Sequence, residues 1–336
     1  MAGMTDSAFR RLVKRHGGCG LVVTEMVSCE GLVRGIGRTL EYADFTEEER
    51  PVSVQIFGGD PARMAQAARV VEQLGADIVD VNMGCPVPKV ARHDAGCSLM
   101  REPERAAAIV RAMTQAVRIP VTVKMRAGWN DADVNAPVLA KMMEDAGASA
   151  VAVHGRTAAQ SYRGRSDWAL ISRVVDAVRI PVFGNGDVVE PQDVLDRWRE
   201  TGVAGVLIGR GMLRNPWICA QARDLQEGRE PRPISAEQRG RFLVDYIRLL
   251  LEDEASEPNG FRHRASADAV PARGRERWVI NKVRALAAWY TKGFDNGSHV
   301  RVAVNQADTL DGLRDVIDDF FLGDSSRGLG RPAVTV

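Results

Sequence analysis

The chain has 336 residues, is 45% hydrophobic and 26% charged, and carries a formal net charge of +1. A chain of this size can bury a large core and is expected to form one large domain plus a small one. It lacks both an apolar run of about 18 residues and the basic, apolar and small-residue order of a signal peptide, which argues against a membrane role.

In chain order, Met1-Ala2-Gly3-Met4-Thr5-Asp6 leads into Ala8, Phe9, Leu12 and Val13, the buried stripe of a first helix that stops at Gly17-Gly18. Seven short Val- and Ile-rich runs follow: Gly20 to Glu25, Pro51 to Phe57, Asp77 to Asn82, Pro120 to Arg126, Ala150 to His154, Pro181 to Asn185 and Gly205 to Ile208. Runs without polar alternation suit parallel strands covered by helices on their faces. Helical stripes fill the gaps. Asp60-Pro61 caps one over Met64, Ala68, Val71 and Leu74, stopped by Gly75, and Pro103 opens another over Ala106, Ile109, Val110, Met113 and Val117. Strand alternating with helix predicts a TIM (β/α)8 barrel or an open doubly wound sheet. A closed barrel needs eight strands, so the first strand is expected upstream of Met1 and one edge is expected to stay unpaired.

After about Pro233 only helices are predicted. Ser235-Ala236-Glu237-Gln238 has the form of a capping box before Phe242, Leu243, Tyr246, Ile247 and Leu250. Further stripes are Val279, Val283, Leu286, Ala287 and Tyr290, then Leu310, Leu313, Ile317 and Phe320. The expected organisation is a barrel over 1–233, an all-α bundle over 234–323 and a disordered tail over 324–336. Between Pro258 and Arg301 nine Lys or Arg stand against three acids, which fits a polyanionic partner or a solvated charged face. The five cysteines, Cys19, Cys29, Cys85, Cys97 and Cys219, show neither a disulfide rhythm nor a zinc pattern, so a cytoplasmic location is expected. The histidines give no metal-ligand spacing.

The strand runs end in residues able to do chemistry: Glu25, Gln55, Asn82, Lys124, His154, Asn185 and Arg210. In a barrel those ends share one face and form the active site. The turns Gly184-Asn185-Gly186-Asp187 and Gly209-Arg210-Gly211 occupy the usual phosphate loops, where glycine lets backbone N–H groups close on an anion. Lys124 alternates with Thr122 and Arg126 on one face; a lysine inside a barrel must meet an anion or titrate, as a Schiff-base nucleophile or as a donor to a reduced flavin. Cys85 could be a general acid, a nucleophile or a small buried hydrophobe. His154 could bond a phosphate or a cofactor ring.

Taken together, Met1 to Arg10, Gln55-Ile56-Phe57-Gly58, Asn82-Met83-Gly84-Cys85-Pro86 with Lys89 and Gly96, Val123 to Arg126, His154-Gly155-Arg156-Thr157, Asn185-Gly186-Asp187, Gly209-Arg210-Gly211 and Asn215-Pro216-Trp217 resemble the bacterial FMN-dependent tRNA-dihydrouridine synthase family. The resemblance implies FMN bordered by Met1 and Ala2, bonded at its pyrimidine edge by Gln55 and Lys124, and held at its phosphate end by His154, Asn185, Gly186, Asp187, Gly209 and Arg210. It implies reduction of a tRNA uridine with NADPH, hydride from the flavin reaching C6 and Cys85 protonating C5. Asn82, Arg126 and Tyr162 would hold the flipped base, the basic helical region would grip the tRNA backbone, and the protein would act as a monomer. Where relatives carry Arg-Lys-His before a Trp-Tyr pair, this chain has Arg284-Ala285-Leu286 before Trp289-Tyr290, and the stretch Glu254 to Arg277 is longer than usual. The alternatives are a phosphate-binding barrel lyase or aldolase using Lys124 as a Schiff base, a flavin dehydrogenase acting on free pyrimidines, and a non-catalytic RNA-binding protein.

Overall fold

The computed structural model describes residues 1–91, 94–252, 258, 260–265 and 274–323. His93, most of the long stretch from Glu254 to Arg273, and the tail 324–336 lie outside the described residues. The strands are β1 (Val22–Val23), β2 (Val27–Ser28), β3 (Phe45–Thr46), β4 (Val52–Phe57), β5 (Ile78–Met83), β6 (Val121–Arg126), β7 (Ala150–His154), β8 (Val182–Asn185), β9 (Gly205–Leu207) and β10 (Arg262–His263). The helices are α1 (Ser7–His16), α2 (Cys29–Val33), α3 (Gly37–Leu40), α4 (Pro61–Gln73), α5 (Pro88–Ala91), α6 (Pro103–Ala116), α7 (Ala136–Asp145), α8 (Trp168–Ala177), α9 (Pro191–Thr201), α10 (Arg210–Arg214), α11 (Ile218–Gln226), α12 (Ala236–Leu251), α13 (Arg275–Tyr290), α14 (Gly297–Gln306) and α15 (Leu310–Ile317).

The main sheet is parallel, in the order β1-β4-β5-β6-β7-β8-β9, with β2 also paired to β4. It is a TIM-type (β/α)8 barrel sheet with seven strand positions filled, and no β9–β1 pairing closes it among the described residues. Val54, Ile56, Val79, Val81, Val123, Val151 and Val153 are buried, as parallel strands covered on their outer face require. Between the pairs Val23↔Ser53 and Val27↔Ile56, the first side carries one residue more than the second. This bulge lets the Thr24 hydroxyl accept from Gln55 N at 3.1 Å and donate to Glu25 O at 2.9 Å.

The expected caps form. Asp60 accepts from Arg63 N at 2.8 Å, Gly75 takes φ 86°, and Ser235 and Gln238 exchange both bonds of a capping box. Helix α6 ends at Ala116, so Val117 lies just beyond the stripe assigned to it, in extended backbone. An aromatic cluster joins α1 to the C-terminal helices: Phe242 lies 6.0 Å from Phe9, 5.5 Å from Trp217 and 5.5 Å from Tyr290, ring centre to ring centre.

One expectation for the C-terminal region is corrected. It is not helices only, because β10 pairs antiparallel with β3. His263 stacks on buried Phe45 at 4.7 Å, its Nδ1 pairs with Leu74 O at 3.2 Å and its Nε2 with the Glu47 carboxylate. Glu47 N donates to Phe261 O at 2.8 Å, and Ala265 N to Asp44 Oδ1 at 3.0 Å. A two-residue strand carries no alternation to read; tertiary partners create it.

Candidate active site

The floor of the barrel mouth is a chain of hydrogen bonds across β4, β5 and β6. Asp80 on β5 accepts from Thr122 Oγ1 at 2.6 Å and from Gln55 Nε2 at 2.7 Å. Gln55 Oε1 accepts from Asn82 Nδ2 at 2.8 Å, and Asn82 Oδ1 accepts from the backbone N of Gly84 at 3.1 Å and of Cys85 at 2.9 Å. Burial pushes the Asp80 carboxyl up, only partly countered by the bonds from Thr122 and Gln55 and by the Lys124 charge. Gln55 and Asn82 are thus oriented by neighbours before any ligand arrives.

Lys124 pairs in register with Asn82 and Ala152 on the strands at either side. Burial and the Arg126 guanidinium lower its ammonium from 10.5 to about 8, with Asp80 opposing. Among the described residues no hydrogen bond to Nζ is formed. Arg126 is buried and ties the loops after β5 and β7 together, donating from Nε to Gly84 O at 2.7 Å and from Nη1 to Thr157 O at 3.0 Å and Ser161 O at 2.9 Å. Cys85 is free and half-buried. Burial raises its thiol above the ordinary value, against the Val87 N–H and the Arg126 charge, so it stays protonated at neutral pH. Gly96, at φ 61°, lets the next loop pack on it: a Cβ there would meet Cys85 O at 2.7 Å.

The other half of the mouth is built on an ion pair. Arg156, 2% exposed, donates from Nη2 to both Asp187 oxygens at 2.7 Å and to Gly164 O at 2.6 Å, and its Nη1 lies 3.3 Å from His154 Nε2. Burial alone would raise the Asp187 carboxyl, but Ser166 N–H and Arg156 outweigh it and hold it below the usual range. Burial, reinforced by Lys124, Arg126, Arg156 and Arg210, pushes His154 down to about 2, so the imidazole is neutral. Asn185 Nδ2 donates to Leu207 O at 2.8 Å, joining β8 to β9. Gly186 has φ 129°, and a Cβ there would stand 2.2 Å from Ser166 Oγ. Exposed Tyr162 lies under two cations, Arg210 at 4.8 Å and Arg126 at 5.8 Å from its ring centre. Arg210 also reaches Asp187 at 3.7 Å. Met1 and Ala2 are exposed at the rim, where a Cβ on Gly209 would lie 3.6 Å from Met1 Sδ.

Apart from Met1 and Ala2, which precede α1, the site residues expected from the sequence therefore fall on β4 to β8 and the loops after β5, β7, β8 and β9. The sequence reading assigned no role to the supports, although it named Thr122 and Arg156. Asp80 and Thr122 fix Gln55, and Arg156 fixes Asp187; a buried Asp beside a strand-end amide, and an arginine two residues after a strand-end histidine, were the available signals. Glu25 is 3% exposed, and its Oε1 has no hydrogen-bond partner among the described residues.

Known proteins are similar to this chain over most of its length. The family model described as "Dihydrouridine synthase (Dus)" matches residues 1–321. The chain is 35% identical over 323 residues to a "Probable tRNA-dihydrouridine synthase" of Rickettsia bellii (strain RML369-C), covering 96% of this chain and 93% of that one. It is 37% identical to "tRNA-dihydrouridine synthase B" of Xanthomonas axonopodis pv. citri (strain 306), covering 96% and 91%, and 38% identical to a "Probable tRNA-dihydrouridine synthase" of Treponema pallidum (strain Nichols), covering 85% and 87%. Among solved structures, histamine dehydrogenase from Rhizobium sp. 4-9 is similar at a TM-score of 0.49 and 12% identity, over 72% of this chain and 46% of that one, too slight a likeness to carry any part of the argument. By the extent of these matches, the chain belongs to the dihydrouridine synthase family.

Proposed function

We propose that the protein binds FMN in the barrel mouth, takes reducing equivalents from NADPH, and reduces a uridine of tRNA to 5,6-dihydrouridine. The residues present fit that cofactor. Lys124 Nζ offers a donor, and Glu25 Oε1, buried without a hydrogen-bond partner among the described residues, offers an acceptor, matching a ring edge that both accepts and donates. The close turn at Gly186 and the Arg210 cation suit a phosphate, whereas the Asp187 carboxylate, held by Arg156, serves the site through the turn it shapes. FMN, once reduced, would supply a hydride to C6 of the uracil.

The observation that carries the reading is the place of Cys85, just past the end of β5 and next to the strand that bears Lys124, with its backbone N–H held by Asn82 Oδ1 at 2.9 Å; burial pushes its thiol up, which favours the protonated form. Hydride arrival at C6 leaves charge at C5 and the neighbouring carbonyl, and a neutral thiol in position can deliver the balancing proton to C5. Asn82, Arg126 and Tyr162 would hold the extruded base, since a uracil must leave its stack to reach such a pocket. Residues 1–233 would be the catalytic unit and 234–323 the tRNA-binding unit of a monomer, working in the cytoplasm, where the five unbridged cysteines would persist.

The test is purified protein with FMN, NADPH and unmodified tRNA, read by mass spectrometry. One uridine should gain two hydrogen masses; colourless protein and unchanged tRNA would overturn the proposal. One observation favours a second reading: an amine lowered to about 8, as at Lys124, is a competent nucleophile toward a carbonyl. Borohydride trapping of a carbonyl substrate on Lys124 would select it instead.

A further inference from the structure

Trp278, on α13, is 41% exposed, although a free indole on a surface gives up apolar contact to water. It is bracketed by two cations of its own helix, with Arg275 Cζ 5.0 Å and Lys282 Nζ 5.5 Å from the ring centre. Lys282 also reaches the catalytic rim: its Nζ donates to Gly3 O at 3.2 Å and lies 3.1 Å from Asp6 Oδ2. Tyr246 OH on α12 donates to the same Asp6 Oδ2 at 2.8 Å. The segment so held continues to Met1, whose sulfur stands beside Gly209 at the mouth. Trp278 is therefore one helical turn, ~6 Å along the axis, from the lysine that grips the edge of the active site. Residues 275–292 carry five Lys or Arg and one acid.

We propose that Trp278 is a stacking platform for an unpaired tRNA base next to the uridine drawn into the barrel, with Arg275 beside it engaging the adjoining phosphate. The occupant follows from charge and shape. Drawing one nucleotide out of a stack leaves its neighbour without a face to lie on, and an exposed aromatic ring flanked by cations supplies that face and a counter-charge for the backbone. Arg275 is exposed, and among the described residues it donates only from Nε, to Leu250 O at 2.8 Å, which leaves its outer nitrogens for a phosphate. The platform rests on the tRNA reading above and adds to it a specific contact outside the barrel.

The experiment uses full-length FMN-loaded protein and unmodified tRNA transcript, with the Trp278 variants compared at one salt concentration and the Arg275 variant across a salt series. Trp278→Ala should weaken tRNA binding about 10- to 100-fold, as loss of one stacked base does, while Trp278→Phe stays within about threefold of wild type. Flavin absorbance and NADPH oxidation should not change in either variant. A transcript made abasic beside the target uridine should bind wild type more weakly but Trp278→Ala no more weakly than intact tRNA. Arg275→Ala should instead lower the slope of log affinity against log salt by about one. Equal losses in the Ala and Phe variants, wild-type binding by Trp278→Ala, or an abasic penalty that persists in Trp278→Ala would each overturn the platform. A wild-type dimer that Trp278→Ala dissolves would assign the indole to self-association and overturn it equally. If wild type binds tRNA but forms no dihydrouridine, the proposed reaction fails while the same binding series still decides for or against Trp278.

Discussion

Replacing Lys124 by Met should make the unliganded protein more stable and the flavin-binding protein worse. The lysine sits in the barrel with its ammonium drawn from 10.5 to about 8, so at neutral pH the fold holds a charge that it disfavours. Holding that proton at neutral pH costs the fold at most about 3 kcal/mol. Part of the side chain keeps solvent contact, which lowers the realised gain to about 2 kcal/mol. For 336 residues the unfolding entropy is about 0.7 kcal/mol/K, so the melting temperature of the apo protein should rise roughly 3 °C at pH 7. The sign with pH is fixed by proton uptake. Between about 8 and 10.5 the unfolded chain holds the proton more tightly than the folded one, so wild-type stability recovers as pH rises through that window and the advantage of Met fades. The assay is thermal melting of both apo proteins at pH 7 and pH 10, with FMN titration at pH 7, where Met should cost at least tenfold in affinity. A Met variant that melts lower than wild type at pH 7, or keeps its full advantage at pH 10, would refute the reasoning.

Three further outcomes are expected. Cys85→Ala should retain bound FMN and NADPH oxidation but slow dihydrouridine formation about 10²- to 10⁴-fold in single turnovers, the usual worth of a positioned proton donor; an unchanged rate would remove Cys85 from the reaction. Gly186→Ala forces a Cβ to within 2.2 Å of Ser166 Oγ at a φ of 129°, and should weaken FMN binding more than tenfold with about 1–3 kcal/mol lost in urea unfolding. His154, held neutral down to about 2, gives stability that is complete above 6.5 and falls as pH drops below it, because only the unfolded chain takes up the proton. At pH 5 that loss is about 2 kcal/mol, which His154→Gln should relieve in the pH 5 to pH 7 melting difference; a His154 ring whose NMR shifts titrate near 6.5 would contradict the burial argument.

The barrel was legible because its strands are buried on both faces and so read as unbroken Val and Ile runs, with a polar residue wherever each run reaches the mouth. Ala150 to His154 was bounded to the residue for that reason. Caps were legible where one side chain decides them, as at Asp60 and Ser235. Elements defined by partners distant in sequence were not. The bulge at Thr24 to Met26 exists only against β4, and β10 exists only against Phe45 and Thr46. Helix α14 follows Asn296 at φ 59°, with no side-chain cap to announce it. At the site, the strand-end residues stood out singly, but the pairing of Arg156 with Asp187, across 31 positions, could not be read from local spacing. Arg284 shows the same limit in the basic region. It bonds Val304 O at 3.4 Å and Ala307 O at 2.9 Å, closing the end of α14, so a cation that read as surface charge is part of the scaffold.

The pairing of His263 with Phe45 carries a consequence for any attempt to divide the molecule. A segment more than 200 positions downstream lies on the barrel's own β3, and Arg11 adds a cation over Phe261 at 5.4 Å. A fragment ending near residue 233 would strip the cover from a fully sequestered phenyl ring and leave β3 without its partner. Gene truncation there should yield a sticky, half-dressed barrel rather than a working miniature, and heat should melt both parts of the intact chain in a single step.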